Sequence, residues 1–467
     1  MPDNPYGGPG PDHIFGGGVA ETLLHPAVLV GMLVAIILLW TLPRKYAMAP
    51  LLFGAFMIPL GQQIYLGGMH WQVLRIIILC GLLRVAVMKF TSRKGLLAGG
   101  FNAVDQAFLV CMLVQAACFA LLYMQTQALV NQFGFLADYV GGYFLVRVLI
   151  RDEADIYLTL KCLAVITVVL AITMVREQMA QQNVFGLLGG VDPTPAIREG
   201  KIRSQGVFQH ALTAGTFAAT LLPLFFLLWY NGKSRVMGAA GMIGCTVMTI
   251  CSNSSTPLLA YGAGLVGVCF WPIRKDMRRV RWGLVIGLVA LNIVMKAPMW
   301  FIIAHIDLTG SSSGYHRAEL VDQFLRHIGD WWLIGTKDAQ NWGWDMWDQQ
   351  NQFVNVGETG GLAALALLIA VISRSFAKIG KARKVVSGKR REWMLWFLGA
   401  ALFANVVAFF GVNYFDQSRM TWFALLAMIS AATAAAVPAQ RAKASLEAQP
   451  EQEEAAGMET LSSQVLA

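Results

Sequence analysis

The sequence predicts an all-α polytopic membrane protein, about 13 transmembrane helices with a large outer loop containing short helices, and three observations predict it. Of its 467 residues 56% are hydrophobic and 13% charged, and the mean hydropathy is +0.56, far more apolar than a soluble chain of this length. Apolar runs recur along the chain, most of them near the ~20 residues that a helix needs to cross a hydrocarbon core. None of them alternates as a barrel strand would, and a segment in lipid must satisfy its own backbone.

In order, the runs cover 26–42, 48–60, 71–90, 104–124, 132–150, 157–176, 207–230, 236–252, 257–272, 282–303, 352–372, 393–413 and 420–438. The second is short and is expected to be tilted or partly re-entrant. Thirteen spans place the termini on opposite sides, and basic residues choose the orientation. Alternate loops carry 24 of the 36 Lys and Arg, including Arg44, Lys45, Arg147, Arg151 and the run from Arg374 to Arg391. The other loops carry Arg176, Arg198, Lys201, Arg203, Arg317, Arg326, Lys337 and Arg419, while Arg75, Arg84, Lys161 and Lys296 fall within spans. The positive-inside rule then puts the N-terminus outside and the C-terminus in the cytoplasm.

The net charge of +9 follows from this topology and does not call for a nucleic-acid partner. The seven cysteines lie in or beside apolar runs without CxxC spacing and read as small buried hydrophobes, neither metal ligands nor a disulfide frame. The N-terminus has no basic region or cleavage site, so no signal peptide is expected. The organisation is an outer segment 1–25, a bundle 26–176, the first arginine-bearing outer loop with its following helices 177–303, a large outer loop 304–351, a final helical group 352–438 and a cytoplasmic tail 439–467 expected to be disordered.

Chemistry gathers in the outer loops 177–206 and 304–351. The second packs arginine, histidine, acids, amides and five tryptophans between apolar segments, too polar to cross a bilayer and too long for a plain connector. The first ends in RSQGVFQH, where Arg203 leads through Gln205 to His210 at a helix entrance. Arg198 and Lys201 beside it are read more simply as lipid-headgroup ligands. A guanidinium grips phosphate through two parallel hydrogen bonds, which Lys does not reproduce. Candidate bases are Asp348, His316, Glu319, Asp322 and His210, with Asp348 read equally as a cap on the following helix. Trp331 and Trp332 are expected as interfacial anchors, and Trp342, Trp344 and Trp347 as sugar-stacking candidates. Glu358 is expected to serve packing or a polar network. Arg75 and Asp138 both fall in the outer half of their spans and are expected to pair.

RSQGVFQH before a Gly- and Pro-containing apolar helix, then SSSGYHRAEL, WWLIGT and NQFVNVGETGGLAALALL around one long loop, resembles the O-antigen ligase and polymerase superfamily, nearest to its exopolysaccharide polymerase-like members. The resemblance covers the second half of the chain. It implies a metal-independent glycosyltransferase without a cofactor, acting on an undecaprenyl-diphosphate-linked glycan at the outer face of a bacterial inner membrane. The acceptor would be the hydroxyl of a glycan, lipid or protein, with other polysaccharide-assembly proteins as partners. It gives Arg203 and Arg317 to the diphosphate; Arg198, Gln205, Asn351, Trp344 and Trp347 are the further candidates for substrate binding. The family's histidine before its Asn-x-aromatic element falls near Gln350 here, which leaves Asp348, His316 and His210 as candidates for the base. Two rival classes remain, a flippase for lipid-linked sugars and a non-catalytic assembly subunit. The concentration of polar groups in outer loops rather than along a membrane path favours the enzyme.

Overall fold

The computed structural model describes residues 21–91, 95–305 and 314–434. The expectations for residues 1–20 and for the tail from 439 lie outside the described residues. Helices dominate: α1 Pro26–Thr41, α2 Met48–Met57, α3 Val73–Thr91, α4 Ala103–Tyr123, α5 Thr126–Leu136, α6 Gly142–Leu149, α7 Glu153–Ala180, α8 Ala211–Tyr230, α9 Arg235–Cys251, α10 Ser255–Cys269, α11 Met277–Val294, α12 Ile302–His305, α13 Gly314–Arg326, α14 Ile328–Trp331, α15 Gln352–Val385, α16 Lys389–Phe409 and α17 Arg419–Ala434. Each predicted apolar run overlaps at least one of them, though 132–150 is divided among α5, a π-helical turn and α6 and 282–303 runs past the end of α11; five, α4, α7, α8, α15 and α16, are long and apolar enough to cross a membrane. The chain is an all-α membrane protein.

The only sheet among the described residues is two small antiparallel hairpins. β1 Gln63–Leu66 pairs with β2 Met69–Gln72, and β3 Ala196–Arg198 with β4 Lys201–Arg203. Each turns through two left-handed residues, Gly67–Gly68 and Glu199–Gly200, the backbone that matches the twist of a two-residue hairpin. Such short strands leave no periodicity to read in an apolar chain.

Helix α8 forms the centre. Nearly all its residues are buried against α7, α9, α10 and α16, and its Pro223 sits against Gly264 of α10. Helix α4 runs along α15, and α17 against α6. Local chemistry starts several of these helices: Asn102 and Asp105 form a reciprocal capping box on α4, and Asp152 accepts from the Asp155 N–H on α7.

Several charged groups inside the bundle are matched. The Arg75 guanidinium forks onto both carboxylate oxygens of Asp138 at 2.9 and 2.8 Å, the expected pair. Asp138 sits on a π-helical turn, Ala137–Gly141, between α5 and α6. Two basic residues assigned to loops belong here instead. Arg419 opens α17, is buried, and donates to Asp138 at 3.3 Å. Arg147 lies inside α6, fully buried, where its Nε donates to Asp105 at 3.1 Å, as does the Tyr143 hydroxyl, and its Nη2 to the Ala98 carbonyl at 2.7 Å. Arg147 lies near the end of one apolar run and Arg419 just before another, so a loop assignment was natural, but buried carboxylates on other segments hold them in the interior. Arg84 donates to the carbonyls of Leu39 and Leu42 and so satisfies the C-terminal end of α1.

Candidate active site

Arg203 is aimed by a loop with few degrees of freedom. It ends β4, and the chain turns at once into Ser204–Gly206, whose backbone is held from three sides. The Glu177 carboxylate, at the end of α7, accepts the N–H groups of Gln205 and Gly206 at 3.1 and 2.8 Å. Asn183 donates to the Gly206 carbonyl at 2.7 Å, and the Ser204 N–H donates to the Cys251 carbonyl at 3.1 Å. Asn253 fixes Ile202, immediately before Arg203, through its carbonyl at 2.6 Å. Gly206 is left-handed at φ +58° with its missing Cβ against Met174, so a side chain there would strain the turn.

Arg317 is aimed by packing. On α13, Leu320 and Phe324 follow it at helical spacing and join Trp331, Ala339, Trp342, Met346 and Val354 in a separate apolar cluster beneath the outer loop. Phe324 and Trp331 stack at 4.0 Å, and the Trp331 indole donates to the Phe324 carbonyl at 2.7 Å. Trp331 is therefore an interior residue and not an interfacial anchor. Trp342 stacks on His327 at 5.1 Å.

The loop is locked to the helix after it through a break. Helix α15 departs from helical geometry at Gly361, φ +69°. Into the gap the WWLIGT backbone inserts: the Leu362 N–H donates to the Trp332 carbonyl and the Thr336 N–H to the Glu358 carbonyl, both at 2.8 Å. Gly361 and Gly335 make this approach possible, since a Cβ on either would lie 2.5 Å from the Leu333 oxygen or 2.1 Å from the Glu358 oxygen. Glu358 itself is 1% exposed, and neither carboxylate oxygen has a hydrogen-bond partner.

On this scaffold the two loops meet. Arg317 is 7% exposed and its Nε is buried without a partner, as is the Nε of Arg203. Burial pushes the Arg317 guanidinium down to about 10, and the charges of Arg203 and Arg198 push the same way against the opposing charge of Asp348. Burial and the charge of Arg198 also lower Arg203. The Asp348 carboxyl is raised by burial and by Asp345, against the pull of His316, of a 2.9 Å hydrogen bond from Gln350, and of Arg317. Arg198, Arg203, Arg317, His316 and Asp348 thus lie in one electrostatic neighbourhood. His316 is held by a 2.9 Å contact from Nε2 to the Asp345 carbonyl.

The other predicted residues lie around this centre in different ways. Asn351 caps α15, accepting from the N–H groups of Phe353 and Val354 at 2.9 and 3.2 Å and donating to the Phe410 carbonyl. The cap is thus Asn351 and not Asp348. Gln205 is buried with its Nε2 unpartnered. His210 precedes α8, exposed, edge-on to Phe415 at 5.8 Å. Trp344 and Trp347 are 88% and 69% exposed and available to a ligand. Glu319 bonds Gln323 at 2.8 Å, and Asp322 accepts from Trp300 and Arg326.

Sequence reasoning missed the segment Asp416–Arg419, four consecutive buried polar residues running from the α16–α17 connection into the start of α17, of which it had named only Arg419, as a loop cation. Gln417 donates to the Val207 carbonyl at 3.2 Å, and the Tyr414 N–H to Gln352 at 2.8 Å, so this stretch is wedged between the RSQGVFQH and NQFVN motifs. The side chains of Asp416, Gln417 and Ser418 each keep a buried oxygen without a partner. The run DQSR in so apolar a chain was the available signal. Set against known proteins, the chain matches no family model and no curated protein.

Proposed function

We propose that the protein is a membrane glycosyltransferase of the O-antigen ligase and polymerase type, transferring or polymerising an undecaprenyl-diphosphate-linked glycan at the outer face of a bacterial inner membrane. In this reading the chain has thirteen spans, an outer N-terminus and a cytoplasmic C-terminus. One observation carries it: two arginines from separate loops lie within electrostatic reach of each other, each with a buried, unpartnered Nε. Like charges drawn into one partly desolvated place cost free energy unless an anion answers them. A diphosphate is the anion that two planar guanidinium groups fit best.

The reaction breaks the bond between the anomeric carbon and the diphosphate oxygen and forms one from that carbon to an acceptor hydroxyl oxygen. The arginines stabilise the charge that collects on the departing diphosphate. The hydroxyl proton passes to a base, for which Asp348 and His316 stand beside Arg317. Lipid-linked oligosaccharide incubated with the purified protein should yield longer or transferred glycan, and Arg317→Lys should lower that yield by about two orders of magnitude or more while the protein still folds. Transfer at the wild-type rate by Arg317→Lys would remove the residue from the mechanism.

A further inference from the structure

Of the four basic residues that the sequence places within spans, Arg75 pairs with Asp138 and Arg84 with helix-end carbonyls, and Lys296 lies beyond the end of α11. Lys161 is different. It lies eight residues into α7, about 12 Å along the axis from Glu153, and its ammonium has no hydrogen bond or ion pair among the described residues. It opens instead into a cavity of about 400 Å³ between α7 and the turn joining α1 to α2.

The charges around that cavity are arranged for an anion. Its cations are Arg44, Lys45 and Lys161, and its carboxylates are Asp152 and Asp155. Asp155 is neutralised within the protein, whereas Asp152 is held only as the N-cap of α7 and keeps its charge. Asp155 takes the Arg44 guanidinium at 2.6 Å and the Arg151 N–H at 2.9 Å, while Asp152 accepts the Asp155 N–H at 2.9 Å. Lys45 lies over the Tyr46 ring at 4.6 Å and is free to turn its charge to a ligand. Lys45 and Lys161 are thus left against the single carboxylate of Asp152, a net positive opening, and a cation in the membrane-embedded part of a helix is costly unless it reaches a headgroup or an anion. The basic pairs Arg390–Glu153 and Arg391–Glu153 place the cavity at the same end of the bundle as the run Arg374–Arg391, opposite the candidate active site.

We propose that this cavity is a phosphate-binding site on the cytoplasmic face, taking the phosphate of an anionic lipid headgroup or of a free phosphate through Lys161 and Lys45. The test uses the full-length protein in detergent, measured by native mass spectrometry after titration with phosphatidylglycerol, phosphatidylcholine or inorganic phosphate. Phosphatidylglycerol should be retained, and Lys161→Met should weaken its retention by about tenfold. Lys45→Ala, at an exposed position, should weaken it as well and keeps the test open if Lys161→Met does not fold. Displacement of the lipid only by a large excess of inorganic phosphate identifies the headgroup as the ligand. Retention of inorganic phosphate in its place, lost in Lys161→Met, identifies free phosphate. Phosphatidylglycerol held equally by wild type and both variants, or phosphatidylcholine held as strongly, would overturn the site.

Discussion

Two regions of the molecule bury arginine, and they treat it in opposite ways. Inside the bundle Arg147 meets Asp105 and the Ala98 carbonyl, and Asp138 is shared by Arg75 and Arg419. In the two polar loops Arg203 and Arg317 lie within electrostatic reach of each other, and no salt bridge from either to a carboxylate is seen among the described residues. Pairing is what a charge needs to be part of a stable interior. Leaving one unpaired beside another is a cost that a fold carries where a ligand will supply the counter-charge.

The sharpest way to break this contrast is to remove the charge from one member of each region. Arg147→Leu leaves Asp105 buried without its cation and should destabilise the protein by about 3–5 kcal/mol, read as a large drop in melting temperature in detergent. Arg317→Leu should leave the melting temperature unchanged or raise it, because the lost charge had no partner, while abolishing glycan transfer. Equal destabilisation by the two would show that Arg317 is structural.

A second test sharpens the same contrast through charge retained without shape. Arg203→Lys and Arg317→Lys should each lower transfer by about two orders of magnitude or more, the scale seen when one charge-stabilising donor is lost, with unchanged folding. The third concerns the frame. Gly361→Ala and Gly335→Ala force a Cβ against the backbone that the loop and α15 share, and should cost about 1–3 kcal/mol. Their transfer activity should fall with the fit of the loop, whereas Gly232→Ala, at an open turn with nothing near its Cβ position, should leave activity unaltered.

The smallest effect comes from Asp348. Burial raises its carboxyl above the ordinary range, so the folded state disfavours its charged form. At a pH above both the folded and unfolded pKa values the group destabilises the fold, and this penalty is relieved as pH falls through the raised folded value. Asp348→Asn should therefore melt slightly higher than wild type at pH 7 and lose that advantage in acid. If Asp348 is also the base, its rate falls as pH drops through the same raised value and Asp348→Asn is inactive. If His316 serves, His316→Ala loses the activity and Asp348→Asn remains active.

By itself the sequence determined the membrane class, the helical content and the loops in which unpaired polar chemistry gathers, because composition and run length are properties of the chain that the bilayer reads directly. It also placed Arg75 and Asp138 at one depth, since depth follows from position along an apolar run. Only the tertiary structure decided which charges are neutralised. Arg147 and Arg419 look like loop cations until α4 and the π-helical turn bring Asp105 and Asp138 to them. Trp331 looks like an interfacial indole until Phe324 covers it. The WWLIGT backbone finds its place only because α15 breaks at Gly361. Each of these depends on a contact between residues far apart in the chain, and a one-dimensional pattern carries no record of which distant segment supplies the partner.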